Sequence, residues 1–221
     1  LTRGEILAQV RDIKNHLSAP ETLTNIVFMG MGEPLANYRN VVDAIQLLTD
    51  NKTGFGFSRR KITVSTAGLV PEMEALGRDT TISLAVSLNA TDNATRDRLM
   101  PINRRYPIET LLEACRRYPL QPHRRITFEY ILLEGINDRP ADARRLAALL
   151  RPIRAKINLI PFNEHEGCRF RRPNEAVIQR FQQDLMDQGY TAIIRNSKGR
   201  DISAACGQLA AKQKDALGQG S

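Results

Sequence analysis

The stretch Asn25-Ile26-Val27-Phe28-Met29-Gly30-Met31-Gly32-Glu33-Pro34 is where the fold class is legible. A short unbroken apolar run stops on two glycines and a proline. Such a run, bounded by turn residues, reads as a buried strand of a parallel sheet rather than a half-exposed antiparallel one. Upstream, Thr2-Arg3-Gly4-Glu5 has the form of a helix-capping box, and Ile6, Leu7, Val10, Ile13 and Leu17 keep helical spacing after it. Downstream, Val41, Val42, Ile45 and Leu48 form a second helical stripe. The alternation continues, with strand-like runs at Lys61 to Thr66, Ile82 to Leu88, Arg125 to Leu132, Lys156 to Ile160 and Thr191 to Ile194. Pro140 and Pro173 suit first helical positions, and Gly189 suits the residue after a helix end. Strands alternating with helices predict a right-handed parallel β/α array, either a barrel-like sheet or an open doubly wound one. A helix comes first where such a fold usually opens on a strand, so a strand is expected ahead of it. No internal linker interrupts residues 1–211, and residues 212–221 read as a flexible C-terminal tail.

Composition narrows the function classes. The chain has 221 residues, 42% of them hydrophobic and 25% charged, which is an ordinary globular mixture and excludes collagen-like or disordered character. No apolar run approaches the roughly 18–20 residues that span a bilayer, and the first twenty residues have no signal-peptide hydrophobic region. Membrane insertion is therefore not expected. The three cysteines, Cys115, Cys168 and Cys206, are too few and too scattered for a disulfide framework or a CxxC-type knuckle, and they suit a reducing, cytoplasmic setting. His16, His123 and His165 have no metal-ligand spacing.

Net charge is +8, with 25 arginines against 7 lysines and six Arg-Arg doublets, at Arg59, Arg104, Arg116, Arg124, Arg144 and Arg171 with the arginine that follows each. Guanidinium groups grip phosphates in a bidentate fork and stack on bases, so a polyanion is one reading. Solvated helix faces are the other.

In parallel β/α folds the ligand lies at the carboxyl ends of the strands. The residues closing the strand-like runs are small and polar: Gly32 and Glu33, Ser65 and Thr66, Ser87 and Asn89, Asn163, then Asn196 and Ser197. Taken singly these are common turn and cap residues, whereas their convergence on one end favours a site. Gly30-Met31-Gly32-Glu33-Pro34 is the sharpest, because glycine lets a ligand approach the backbone and the carboxylate can receive an ammonium or a hydroxyl. Cys206 follows the basic stretch Asn196-Ser197-Lys198-Gly199-Arg200-Asp201 in a run of small residues. It reads either as an activated nucleophile or as a buried structural thiol. Cys115 lies on the apolar stripe of Leu111 and Leu112 and reads as core, while Cys168 reads as exposed.

Six ordered blocks carry a family resemblance: residues 25–37 (NIVFMGMGEPLAN), 60–68 (RKITVSTAG), 84–90 (LAVSLNA), 99–107 (LMPINRRYP), 156–163 (KINLIPFN) and 199–209 (GRDISAACGQL). Together they resemble the RlmN/Cfr family of radical S-adenosylmethionine RNA methyltransferases, over about residues 1–211. The resemblance implies an α/β fold, a partial barrel of parallel β/α units with a radical-enzyme core. It implies methylation of adenine in 23S ribosomal RNA and in tRNA by a cytoplasmic monomer, with S-adenosylmethionine and a 4Fe-4S cluster as cofactors. Adenine C2 is too electron-poor to attack a sulfonium methyl, so in this family a cysteine takes the methyl first and a radical route then delivers it to the base. By motif position Cys206 is similar to that methyl-carrying cysteine. Gly32 and Glu33 resemble the pair that holds the amino-acid end of S-adenosylmethionine, and Ser65, Ser87, Leu88, Asn89 and Asn163 its other contacts.

One departure is large. The family's CxxxCxxC cluster motif is absent from this sequence, as is the cysteine that resolves its RNA adduct. The chain is accordingly read as the larger C-terminal part of such an enzyme, lacking the first strand and cluster loop, and inactive by itself. C2 specificity is the expected type and C8 specificity the alternative. A non-catalytic basic RNA-binding module is the reading from another class.

Overall fold

A computed structural model describes residues 1–29, 32–164 and 167–195. Every strand-like run becomes a strand: β1 (Ile26–Phe28), β2 (Ile62–Thr66), β3 (Ser83–Ser87), β4 (Ile126–Leu132), β5 (Ala155–Pro161) and β6 (Ala192–Ile194). All neighbours pair in parallel, and the order across the sheet is the order along the chain. A doubly wound sheet would reverse direction at a switch point. An unreversed order is that of a barrel wall, here left open, which decides between the two architectures the alternation allowed.

The helices are α1 (Arg3–His16), α2 (Tyr38–Thr49), α3 (Val70–Asp79), α4 (Asn93–Leu99), α5 (Ile108–Arg117), α6 (Pro140–Leu150) and α7 (Glu175–Asp187). The capping box at the start of α1 is formed: the Thr2 hydroxyl accepts from the Glu5 amide at 3.3 Å, and the Glu5 carboxylate accepts from the Thr2 amide at 2.7 Å. Pro140 opens α6 as its spacing suggests. Pro173 does not open α7. Asn174 intervenes as the cap, its side-chain oxygen accepting from the Val177 amide at 2.9 Å, because an N-cap needs an acceptor that proline lacks. Gly189 takes φ +85° just past α7, the left-handed conformation that glycine adopts without strain.

Strand register separates the sheet into two unlike faces. Ile62, Val64, Leu84, Val86, Phe128, Tyr130, Ile157 and Leu159 share one face, are fully buried, and belong to one core with residues of the helices. The opposite, concave face carries Thr63, Ser65, Ser83, Ser87, Thr127, Glu129, Lys156 and Asn158 in register across β2 to β5. This corrects the expectation for the first strand. β1 is an edge: its Val27 points to the concave side with 49% of its surface exposed, and Ile26 and Phe28 on the other side are only partly buried.

Candidate active site at the carboxyl ends of the strands

The structure brings the strand-end residues together and gives them different tasks. Gly32 follows β1 with φ +99°, and a Cβ at this position would meet nothing within 4 Å. Glycine thus leaves bare, open backbone where a ligand can approach. The Glu33 carboxylate is anchored by two backbone amides. One oxygen accepts from Leu35 at 3.0 Å, capping the short turn Pro34–Asn37, and the other accepts from Ala67 at 2.6 Å, tying the end of β1 to the end of β2. Each oxygen keeps lone-pair capacity for a cationic group, held in a fixed place.

Ser65 closes β2 and is 6% exposed, whereas Ser87, closing β3, is half-buried. Between them lies Glu129 of β4, a residue not foreseen from the sequence. Ser65 Oγ donates to Glu129 Oε2 at 3.1 Å, and Ser87 is the register neighbour of Glu129 on β3. Burial pushes the Glu129 carboxyl above its ordinary range, opposed by the Ser65 bond, by Arg195 with Nη1 3.9 Å from Oε1, and by Ser87. The available signal was a carboxylate in the middle of the mostly apolar run Ile126–Leu132, where only a partnered or ligand-facing acid is tolerated.

The Ser87-Leu88-Asn89 segment is held by its backbone and its turn. Arg96, fully buried on α4, donates to the Leu88 carbonyl at 3.0 Å, to Ser87 O at 3.1 Å, to Ala67 O at 2.8 Å and to Asn103 Oδ1 at 3.0 Å. It clamps the ends of β2 and β3 together, and burial brings its pKa down to about 10. Asn89 sits in the left-handed region at φ 59°, with Oδ1 accepting from the Ile131 amide at 2.9 Å. Asn137 donates to Asn89 O at 2.8 Å and to Ile131 O at 2.7 Å, fastening the ends of β3 and β4. The Asn89 side chain is therefore committed to the fold. Asn163 lies in the loop after β5, half-buried.

Cys206, Asn196 and Ser197 lie outside the described residues, as do Gly30 and Met31. Cys115 is core, its thiol pushed up to about 12 by burial, which makes it inert as a nucleophile. Cys168 is half-buried rather than exposed.

Exposed backbone, an anchored carboxylate, two hydroxyls and a buried acid at one end of a parallel wall suit a nucleoside with a charged amino-acid end. The donor set does not fit an iron–sulfur cluster: among the described residues no three His, Cys, Asp or Glu side chains group to hold a metal. No helix among them is long and apolar enough to cross a membrane.

A parallel β/α wall with a polar concave face and a nucleoside-like donor set is the core of a radical S-adenosylmethionine protein, and the chain belongs to that class: the Radical SAM superfamily model matches residues 2–147. More particularly, it is 62% identical over 214 residues to a protein of Desulfosudis oleivorans named dual-specificity RNA methyltransferase RlmN. The match covers 97% of this chain and 58% of that protein. A protein of the same name from Geobacter sulfurreducens is 58% identical over 212 residues, covering 96% of this chain and 58% of the relative. The chain thus spans somewhat over half the length of these relatives. The crystal structure of a radical SAM methyltransferase from Sphaerobacter thermophilus superposes with a TM-score of 0.87 at 48% identity, covering 94% of this chain and 61% of that one.

Proposed function

We propose that this chain is the larger part of the catalytic core of an RNA methyltransferase that methylates adenine C2 in 23S ribosomal RNA and in tRNA, acting as a cytoplasmic monomer. The 62% identity to a dual-specificity RNA methyltransferase over 97% of the chain carries the proposal. The site supports it chemically. Gly32 offers backbone and Glu33 a fixed carboxylate to the amino-acid end of S-adenosylmethionine, while Ser65, Ser87, Leu88, Asn89 and Asn163 face or frame the rest. When bound, S-adenosylmethionine supplies an electrophilic methyl on a sulfonium leaving group.

Cys206 is assigned as the methyl carrier. Its thiolate attacks the methyl carbon, forming a carbon–sulfur bond as the methyl–sulfonium bond breaks and S-adenosylhomocysteine leaves. No step through a 4Fe-4S cluster is assigned to these residues, since no group of side chains among the described residues provides its ligands. By itself the chain is accordingly expected to form no cluster and no 5′-deoxyadenosine on anaerobic reconstitution with iron and sulfide. A stoichiometric cluster absorption would overturn that part of the reading.

A chimera tests the activity: this chain substituted for the matched segment of the Desulfosudis oleivorans relative, expressed in cells lacking adenine-C2 methylation. Mass spectrometry of 23S ribosomal RNA and tRNA should then find 2-methyladenine, and Cys206→Ala should remove it while RNA affinity stays nearly unchanged. Finding 8-methyladenine instead would point to C8 specificity. Salt-sensitive RNA binding with no methylation would point to a basic RNA-binding module.

A further inference from the structure

Two of the six arginine doublets are accounted for neither by the core nor by the candidate site. Arg59-Arg60, with Lys61, forms the short turn that enters β2, and Arg124-Arg125 leads into β4. Arg154 stands one position ahead of β5 and is tied to the start of β4, its carbonyl accepting from the Ile126 amide at 2.9 Å. Because the strands are parallel, these cations gather at the amino end of the wall, about 20 Å from the candidate site at the other end of β4. Arg124 is half-buried and the others are exposed. On α5, α6 and α7 the arginines Arg116, Arg117, Arg145 and Arg180 each pair with a carboxylate. At the amino end, among the described residues, no carboxylate lies within 4 Å of Arg59, Arg60, Lys61, Arg124, Arg125 or Arg154. The acceptors there are neutral. Arg59 Nη1 donates to Thr81 Oγ1 at 3.3 Å and Arg124 Nη1 to Thr81 O at 2.7 Å, so guanidiniums from the entries of β2 and β4 meet on a residue ahead of the strand between them. Arg125 Nη1 donates to Thr191 Oγ1 at 2.9 Å, and Arg154 Nη2 to Leu120 O at 3.2 Å. A neutral acceptor orients a guanidinium without cancelling its charge, and one such bond uses one of five N–H donors. Like charges are thereby fixed close together with no counter-ion, an arrangement that an anion placed among them relieves.

We infer that the amino end of the wall is a docking surface for the sugar–phosphate backbone of RNA. The inference rests on the reading of this chain as part of an RNA methyltransferase and adds a second contact with the RNA, at the end away from the reaction. Adjacent strands stand about 4.8 Å apart, so the entries of β2 to β5 spread these cations over about 14 Å. That span is too wide for one small anion to bridge and suits a run of backbone phosphates. All but Lys61 are arginines, whose planar fork grips a phosphate through two N–H groups at once. Backbone contacts carry no sequence information, so this surface holds and orients the RNA and leaves the choice of adenine to the carboxyl end.

The test is fluorescence anisotropy of a labelled tRNA transcript titrated with the 221-residue chain over a series of salt concentrations. Arg59→Gln, Arg124→Gln and Arg125→Gln combined should weaken binding by roughly tenfold or more at physiological salt, and should lower the slope of log affinity against log salt by about 2 to 3. A charge-matched triple on exposed helix positions, Arg11→Gln, Arg144→Gln and Arg180→Gln, should weaken binding less than about threefold and change the slope by less than about 1. Equal losses in the two triples would mean that net charge alone matters, and would overturn the inference while leaving the RNA reading in place. Inorganic phosphate added at constant ionic strength should leave the difference between wild type and the first triple standing. If it removes that difference, the surface is a small-anion site and the inference falls. A wild type that binds no tRNA at low salt would overturn both the inference and the RNA reading beneath it. Should the first triple fail to fold, as judged by circular dichroism, Arg60→Gln, Lys61→Gln and Arg154→Gln combined carry the same comparison on exposed side chains. A lowered slope there supports the inference, and a wild-type slope and affinity overturn it.

Discussion

Twenty-five arginines look alike in the sequence, and the structure separates them by what their guanidinium groups meet. Arg116 and Arg117 sit on the exposed face of α5 in pairs with Glu113 and Glu74, where each pair contributes little. Arg96 is fully buried and spends its donors on three carbonyls and one amide oxygen at the ends of β2 and β3. Arg96→Met should cost about 3 kcal/mol or more, because acceptors that were bonded to a charged donor are left dry; urea denaturation of the two chains measures it. Arg96→Lys should recover only part of that, since a point ammonium cannot span the same four acceptors. Nothing in the spacing distinguishes Arg96 from its neighbours, because its role depends on carbonyls contributed by other elements. Glu129 gives a second prediction, in pH. Burial raises its folded carboxyl above the ordinary value of 4.5, with Ser65, Arg195 and Ser87 opposing. A raised carboxyl contributes its stability in full below the unfolded value and loses it as pH rises through the folded one. Glu129→Gln, which cannot ionise, should match the wild type near pH 4 and exceed it in urea midpoint at pH 7. A variant less stable than wild type at pH 7 would contradict the sign.

Helices and strands were legible to the extent that their signals are local. The capping box at Thr2 and Glu5 needs no tertiary contact, and it formed as written. Thr2→Ala should lower stability by about 1 kcal/mol with an unchanged denaturant slope, since it removes the acceptor for one amide of the first turn and leaves the rest of α1 intact. Arg3→Ala, on the same exposed turn, should cost a few tenths of that, which separates loss of the cap from any change at this helix end. At α7 the sequence signal puts Pro173 at the first helical position, whereas the structure makes Asn174 the cap instead. The side chain that accepts a hydrogen bond from Val177 prevails over the ring that only fixes φ. The strands show a different limit. Ile126–Leu132 is buried on both faces, but a strand-like run does not show that Thr127, Glu129 and Ile131 share one side while Ile126, Phe128 and Tyr130 share the core side. Surveying the residues that end each run recovers Ser65 and Ser87 and overlooks an acid in mid-strand.

Over the whole molecule, the sheet is an open wall with an apolar convex face and a polar concave one, and its two outer strands are short. Those edges carry exposed β-branched residues on the concave side, Val27 at 49% on β1 and Ile193 at 47% on β6. An edge strand offers unpaired amides and carbonyls, and an apolar, β-prone side chain beside them invites a second chain to pair. Native edges are commonly blunted with lysine, and neither edge has one within its strand. Net charge of +8 opposes association at long range but is screened beyond about 8 Å at physiological salt, so it does not protect an edge at contact distance. The isolated chain should therefore self-associate with rising concentration, and more so with rising salt. Val27→Lys should suppress this in light scattering while leaving the urea midpoint within about 0.5 kcal/mol of wild type, because Val27 contributes little to the core. Ile193→Lys should act likewise at the other edge. If Val27→Lys and Ile193→Lys each leave scattering unchanged, association arises elsewhere on the surface; if only Val27→Lys suppresses it, β1 is the pairing edge.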